Sequence, residues 1–406
     1  MFSTIGYVIF VLAPAVLGAI LLWRFPKYRR FRLRSILVYL VVMSLLIYGA
    51  LRFVCYIASA TVALREVFIV LWFAIAWRLA WELWAQTVGR LGQKWIRWAR
   101  LRRHQGLHAP KLIRLIPIGR MLLTAFIFVP AFLSCVVTHR FKLHDDQDPK
   151  SIYQMDFEHV RVPTADGLTL DGWFIPQSGA SRTIVVCHGA GANKGNFVWF
   201  LGSLTRPDYN VVFFDFRAHG SSDGRTTTYG IRERRDVTAV VDWLKRERPA
   251  QSQVIVGLGS SQGSMALALA AAEDERIDAV ILDSPFTSAY EFAQHHARQL
   301  PVIGPLFVNI ILVGMSAQTG ADFFHTSAVE AVSRLGSRPV MVIHGDDDIA
   351  MPVSHSQALY DAAAGPRELW FGPGPHSNIV TTDPRQYEQR VFALLDANLS
   401  EHSSQK

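Results

Sequence analysis

The chain has 406 residues, enough for more than one domain, and half of them are hydrophobic, with a mean hydropathy of +0.20 that is high for a wholly soluble protein. Residues 1–150 hold 21 Lys and Arg against 5 Asp and Glu, a net of +16, while the remainder nets −8. The basic residues thus belong to the apolar half, which argues against nucleic-acid binding: such readers carry their basic patch on a soluble face.

Phe2 to Trp23 contains no charge, and at about 1.5 Å per helical residue it outruns a hydrocarbon core of roughly 30 Å. Its leading "MFSTIG" lacks a positive charge and the basic block "RFPKYRRFRLR" follows it, the reverse of a secretory signal, so a retained helix is expected. Further spans are expected at ~35–57, ~66–85 and ~115–137. In the third, Arg78 and Glu82 stand four apart among Trp77, Trp81 and Trp84, which reads as a headgroup-zone pair in an aromatic belt. The segment from Gly89 to Arg114 suits a helix lying on an anionic membrane surface. Lys and Arg gather in Arg24–Arg34 and Arg90–Arg114, and the positive-inside bias assigns both loops to the cytoplasm. Four spans then put everything after His139 on the outer face of an inner or plasma membrane. The expected division is a membrane region over 1–140 and a second domain over 150–400.

From Ile152 the periodicity changes. "FEHVRVPTADGLTLDGWFIP" predicts two antiparallel strands turning at Asp166-Gly167. "TIVVCHG", "NVVFFDFR", "QVIVGLG", "AVILDS" and "PVMVIHG" are apolar runs of the kind buried in a parallel sheet. Helices are expected over Asn196–Leu204, Ile231–Arg246, Ser264–Glu273, His355–Ala364 and Pro384–Leu399. The alternation predicts a doubly wound α/β sheet with its site beyond the strands' carboxyl ends. About fifty residues, ~286–338, break the rhythm and include "LPVIGPLFVNIILVGM". A helical lid is expected there, since Pro301, Gly304 and Pro305 weaken a fifth span. Cys55, Cys135 and Cys187 show no metal spacing; Cys187, although next to His188, reads as a small core residue.

"GLGSSQGS" contains one G-x-S-x-G frame, and only Ser261 has glycine at both −2 and +2. A strained strand-to-helix turn projects that hydroxyl, and its close neighbours must lack side chains. A serine needs a base and the base an orienting acid, in the order Ser, Asp or Glu, His for this architecture. His376 in "GPGPHSN" leads over His295, His296, His325 and His355 as base. The acid candidates are Asp346, Asp347, Asp348 and Asp283, and spacing leaves them open. The glycine-rich "CHGAGANKG" offers the backbone N–H of Ala190 as an oxyanion donor beside that of Gln262; it lacks the Lys-Ser/Thr ending of a phosphate loop.

Six motifs in order, "DGLTLDGWFIP", "HGAGANKGN", "DFRAHGSSDG", "GSSQGS", "LDSPFTS" and "IHGDDDIAMP", resemble the α/β-hydrolases over ~152–399, particularly the Bem46-like, serine-aminopeptidase-like group. The resemblance implies Ser261 as nucleophile, His376 as base and Asp348 as acid, with Asp283, Asp215, Arg217 and His219 structural. It departs at Pro375, where such proteins often have glycine before the histidine. Joined to the expected spans, which fall outside the resemblance, it leads to the expectation of a membrane-anchored serine esterase needing no metal or organic cofactor, with small-molecule or lipid ester substrates. Peptide cleavage, acyl transfer, and an idle hydrolase fold on a membrane scaffold are the rival readings.

Overall fold

The computed structural model describes residues 129–139, 142, 143, 145, 147–298 and 303–399, together with Leu101. The spans expected at ~2–23, ~35–57 and ~66–85, and much of the one at ~115–137, lie outside these residues. Among the described residues no helix is long and apolar enough to cross a membrane. The chain divides into two compact units, 1–116 and 117–406, and the fold below belongs to the second.

Helix α1 (Val129–Thr138) and the short α2 (Pro149–Tyr153), capped by Asp148, lead into the sheet. Strands β1 (Glu158–Pro163) and β2 (Thr169–Ile175) form the expected hairpin, whose turn uses Gly167 at φ +82°. β3 (Arg182–Cys187) is followed by a 3-10 turn at Gly195–Phe200 and by α3 (Leu201–Leu204), where one helix was expected. β4 (Tyr209–Phe214), α4 (Arg234–Glu247), β5 (Val254–Ser260) and α5 (Gln262–Glu273) come next. Helix α4 starts three residues later than the apolar periodicity suggests. The Glu233 carboxylate before it accepts hydrogen bonds from the Thr228 and Gly230 amides, which holds Ile231 in a turn.

After β6 (Ala279–Asp283) the described part of the fifty-residue interval contains three helices, α6 (Ala289–Ala297), α7 (Ile303–Thr319) and α8 (Ala328–Ser333). β7 (Val340–Gly345), α9 (Val353–Ala362), β8 (Arg367–Gly372), α10 (Ile379–Thr382) and α11 (Pro384–Leu399) complete the chain.

The eight strands lie in the order β1-β2-β4-β3-β5-β6-β7-β8. The hairpin pairs antiparallel onto β4, and every pair from β4–β3 to β7–β8 is parallel. Because alternate residues of a strand face opposite ways, both faces of the central strands must be apolar. Val185, Val212, Ile255, Val280 and Val342 pack on one side with α4, α5 and α8. Ile184, Val211, Val256, Ile281 and Ile343 pack on the other against Phe197–Leu204 and α11. Cys187 is fully buried in this core, and burial pushes its thiol well above the ordinary range, which keeps it unreactive.

Candidate active site

The elbow is built from β5 running straight into α5, with Ser261 between them at φ 53°, ψ −112°. A side-chain-bearing residue held there costs on the order of 1–3 kcal/mol and persists only where its surroundings over-determine it. Those surroundings are visible. A Cβ at Gly263 would lie 2.0 Å from the Cys187 carbonyl oxygen, and one at Gly259 2.5 Å from the Gly263 backbone. The two framing glycines are therefore required by packing on β3 and on each other. The Ser261 amide donates to Asp283 O at 2.9 Å, and the Ser264 hydroxyl reaches Gly259 O at 2.6 Å and Asp283 O at 2.9 Å. Ser264 thus clamps the turn that Ser261 caps.

Helix α5 begins at Gln262, two residues before the expected start. Its Gln262 amide sits in the first turn, where backbone N–H groups have no intrahelical acceptor and the helix dipole favours negative charge. The second expected donor also lies close, since a Cβ on Gly189 would be 3.6 Å from Ser261 Cβ, which lays the His188–Gly191 turn against the serine. Ala190 belongs to that turn, and Gly191 is held at φ +76°.

Lys194 anchors the same loop. Its buried ammonium lies 2.7 Å from both Asp171 and Asp215, over the Trp173 ring, so the loop's cation is committed to protein carboxylates. His188 and His219 support the turn, their rings packed edge to face. His188 Nε2 accepts from the Phe216 amide, so Nδ1 carries the hydrogen and donates to Gly189 O at 2.8 Å. Burial and the neighbouring His219 lower its pKa to about 3, so it stays uncharged at neutral pH.

"DFRAHGSSDG" acts as a structural corner. The Arg217 guanidinium donates to Asp236 on α4 and to Asp166 in the β1–β2 turn. Asp215 accepts from the Lys194 and Ser221 amides. None of the three residues Asp215, Arg217 and His219 is exposed.

The loops that carry the expected acid and base follow β7 and β8. His376 Nδ1 lies 2.6 Å from Asp348 Oδ2, and Asp348 Oδ1 accepts from the Ala350 and Met351 amides at 2.9 and 2.8 Å. An ionised carboxylate only accepts, so Nδ1 carries the hydrogen and Nε2 is left as the basic nitrogen. The Asp348 side chain is fully buried, while His376 is 27% exposed. Of the other acid candidates, Asp346 and Asp347 are exposed, and Asp346 instead accepts the Gly374 amide. Asp283 is buried against Ser284 and Tyr387. Pro375 is accommodated by Gly374 at φ 132° and Ser377 at φ 56° on either side.

The rival histidines go elsewhere. His355 pairs with Thr287, exposed His325 with Asp322, and His295 and His296 pack together on α6. His344, which sequence reasoning passed over, lies under the acid; it donates Nε2–H to Met351 O, accepts from Ser356, and burial keeps its pKa low.

Ser284 is a second residue that the motifs did not reveal. Held at φ 48°, it donates its hydroxyl hydrogen to Asp283 and accepts the Ser377 amide at 2.9 Å. The serine turn hangs on Asp283 O and the histidine loop on Ser284 Oγ, so adjacent residues at the end of β6 register both. No hydrogen bond joins Ser261 Oγ to His376 among the described residues; shared anchoring brings their loops to one rim. Among the described residues no cluster of His, Cys, Asp and Glu is placed to hold a metal ion.

Strand order, elbow and acid–base loops together define the α/β-hydrolase architecture. A family profile described as "alpha/beta hydrolase fold" matches residues 182–303. YqkD, an uncharacterized protein of Bacillus subtilis, is 30% identical over 254 residues, covering 61% of this chain and 82% of YqkD. The chain belongs to the α/β-hydrolase fold family. The lysophosphatidylserine lipase ABHD12 of Danio rerio is 27% identical over 207 residues, 48% of this chain and about half (51%) of that protein. Among solved structures, the Pyrococcus furiosus esterase Pf2001 aligns with a TM-score of 0.53 at 25% identity, covering 64% of this chain and 98% of the esterase.

Proposed function

We propose that the chain is a serine hydrolase of the Bem46-like, serine-aminopeptidase-like group, anchored in a membrane by its N-terminal half and cleaving carboxylic esters. The observation that carries the reading is the 2.6 Å His376–Asp348 contact on the same rim as a serine at φ 53° that opens a helix.

In this mechanism His376 Nε2 takes the Ser261 proton as Oγ attacks the ester carbonyl carbon. The tetrahedral oxyanion develops between the Gln262 and Ala190 amides, on the positive end of α5. Asp348 holds the imidazole in the right tautomer and stabilises the imidazolium. The proton passes to the leaving alkoxide, an acyl-Ser261 remains, and water activated by His376 releases the acid. Resemblance to an esterase and to a lysophosphatidylserine lipase supports an ester substrate carrying an acyl chain. An uncharged Phe2–Trp23 followed by a basic loop supports a membrane anchor, with the hydrolase domain on the outer side.

A fluorophosphonate probe tests the chemistry. The native protein is expected to be labelled and Ser261→Ala to lose labelling and ester turnover together, by about 10⁴-fold or more. Equal labelling of both would exclude Ser261 as nucleophile.

A further inference from the structure

Helix α7 carries no charged residue across Ile303–Thr319. Its inner stripe is Gly304, Leu312, Met315 and Thr319, all buried. The opposite stripe is also apolar: Ile303, Leu306 and Val313 are 57%, 55% and 56% exposed, in line with Ile310 and Ala317. At helical rise that outer stripe is roughly 21 Å long. A helix on a water-facing surface puts charged residues there instead.

Its neighbour α1 is uncharged as well, and turns Pro130, Ser134 and Thr138 inward. The two helices meet through small and polar groups. A Cβ on Gly314 would stand 2.6 Å from Ser134 Oγ, Gln318 Nε2 donates to Ser134 Oγ at 2.7 Å, and Thr138 donates to Gln318 Oε1 at 3.3 Å. Small residues and hydrogen bonds between helices, with apolar side chains outside, is the arrangement of helices that pack in lipid. The chain running into α1 is uncharged from Met121 onward. This side of the molecule also reaches the elbow: Thr138 O accepts the Thr227 amide at 2.8 Å, and Thr227 Oγ1 donates to Gln262 Oε1 at 3.3 Å, beside Ser261.

We infer that the outer face of α7 docks among the acyl chains of a bilayer beside α1, and that apolar substrates enter the site from the lipid. The second clause rests on the hydrolase reading; the first does not. Polar residues mark the water boundary at the far end of α7, where exposed Asp322 and His325 follow Gly320.

The test uses the full chain in phosphatidylcholine–phosphatidylglycerol vesicles, with Cys55 and Cys135 replaced by serine and a bimane label on Leu306→Cys, Val313→Cys or, as a control, Glu247→Cys on α4. Labels at 306 and 313 are expected to lose fluorescence about twofold or more to chain-brominated lipid and to resist iodide, with the reverse at 247. Iodide quenching at all three positions, or shielding of 306 and 313 from both quenchers by another protein surface, overturns the docking. In a separate arm, the double variant Leu306→Glu, Val313→Glu is expected to turn over a long-chain ester in vesicles about tenfold more slowly, with a short soluble ester unaffected. Equal loss on both esters, or on neither, overturns entry from the lipid. A native protein that cleaves no ester defeats the hydrolase reading and with it the entry route, while the quenching result still decides the docking.

Discussion

At the end of β6, the buried Asp283 carboxylate accepts from two hydroxyls, Ser284 at 2.9 Å and Tyr387 at 3.2 Å. At the end of the neighbouring β7, Asp348 is as deeply buried but receives two backbone amides and the His376 ring. Burial raises the Asp283 carboxyl to about 6, against the pull of its hydroxyl donors. Two aspartates with buried side chains at adjacent strand ends thus differ in their donors, two hydroxyls at Asp283 and two amides with an imidazole at Asp348. In the proposed mechanism Asp348 orients the imidazolium, while Asp283 holds together the backbone that presents it.

The sharpest way to break that contrast is to exchange the roles by mutation. Asp348→Asn keeps the shape but offers an amide in place of the anion, so kcat should fall by about 10⁴-fold on a soluble ester. Asp283→Asn should leave kcat within about tenfold, because Asp283 acts through backbone position. A larger loss from the β6 variant would reverse the assignment. Smaller in effect is Ser284→Ala, which removes the acceptor of the Ser377 amide. Its kcat should drop about tenfold with KM unchanged, and a KM change alone would mark it as a substrate contact.

The smallest effect is on stability. The folded-state pKa of Asp283 is raised, so between pH 4 and about 6 the unfolded chain ionises before the native one. The native state therefore loses stability across that window as pH rises, on the order of 3 kcal/mol for this group. Urea midpoints of the native protein and of Asp283→Asn, measured across the same window, should diverge, with the variant showing the shallower decline. Parallel curves would mean that Asp283 is solvated more than its enclosure implies.

Much of this architecture is legible in the sequence because it rests on local chemistry. Parallel strands buried on both faces announce themselves as unbroken apolar runs, and the elbow glycines at 259 and 263 are required by contacts that any such turn makes. What stayed hidden depends on partners far along the chain. Ser284 gains its role from Ser377, 93 residues on, and Tyr387 meets Asp283 across 104 residues. Choosing Asp348 over its two neighbours needed the resemblance to a family, because three consecutive carboxylates differ only in where the loop points them. Helix α1 carried a readable sign: Pro130, Ser134 and Thr138 recur every four residues within an apolar run. Hydropathy averages over that stripe and so merges it with the expected fourth span.

The contact between α1 and α7 also has a consequence for how the chain is made. Ser134 and Gln318 are 184 residues apart, so α1 leaves the ribosome long before its partner exists. Closing so long a loop is favourable only after the sheet between them has formed, which makes this the late step of assembly. Until then Ser134 and Thr138 have only the carbonyls of their own helix to donate to, Ala131 O and Ser134 O. An expression fragment that starts at the first strand would never take that step, and would leave Gly314 and Gln318 facing solvent. A fragment meant to fold as the intact protein does should begin ahead of Val129.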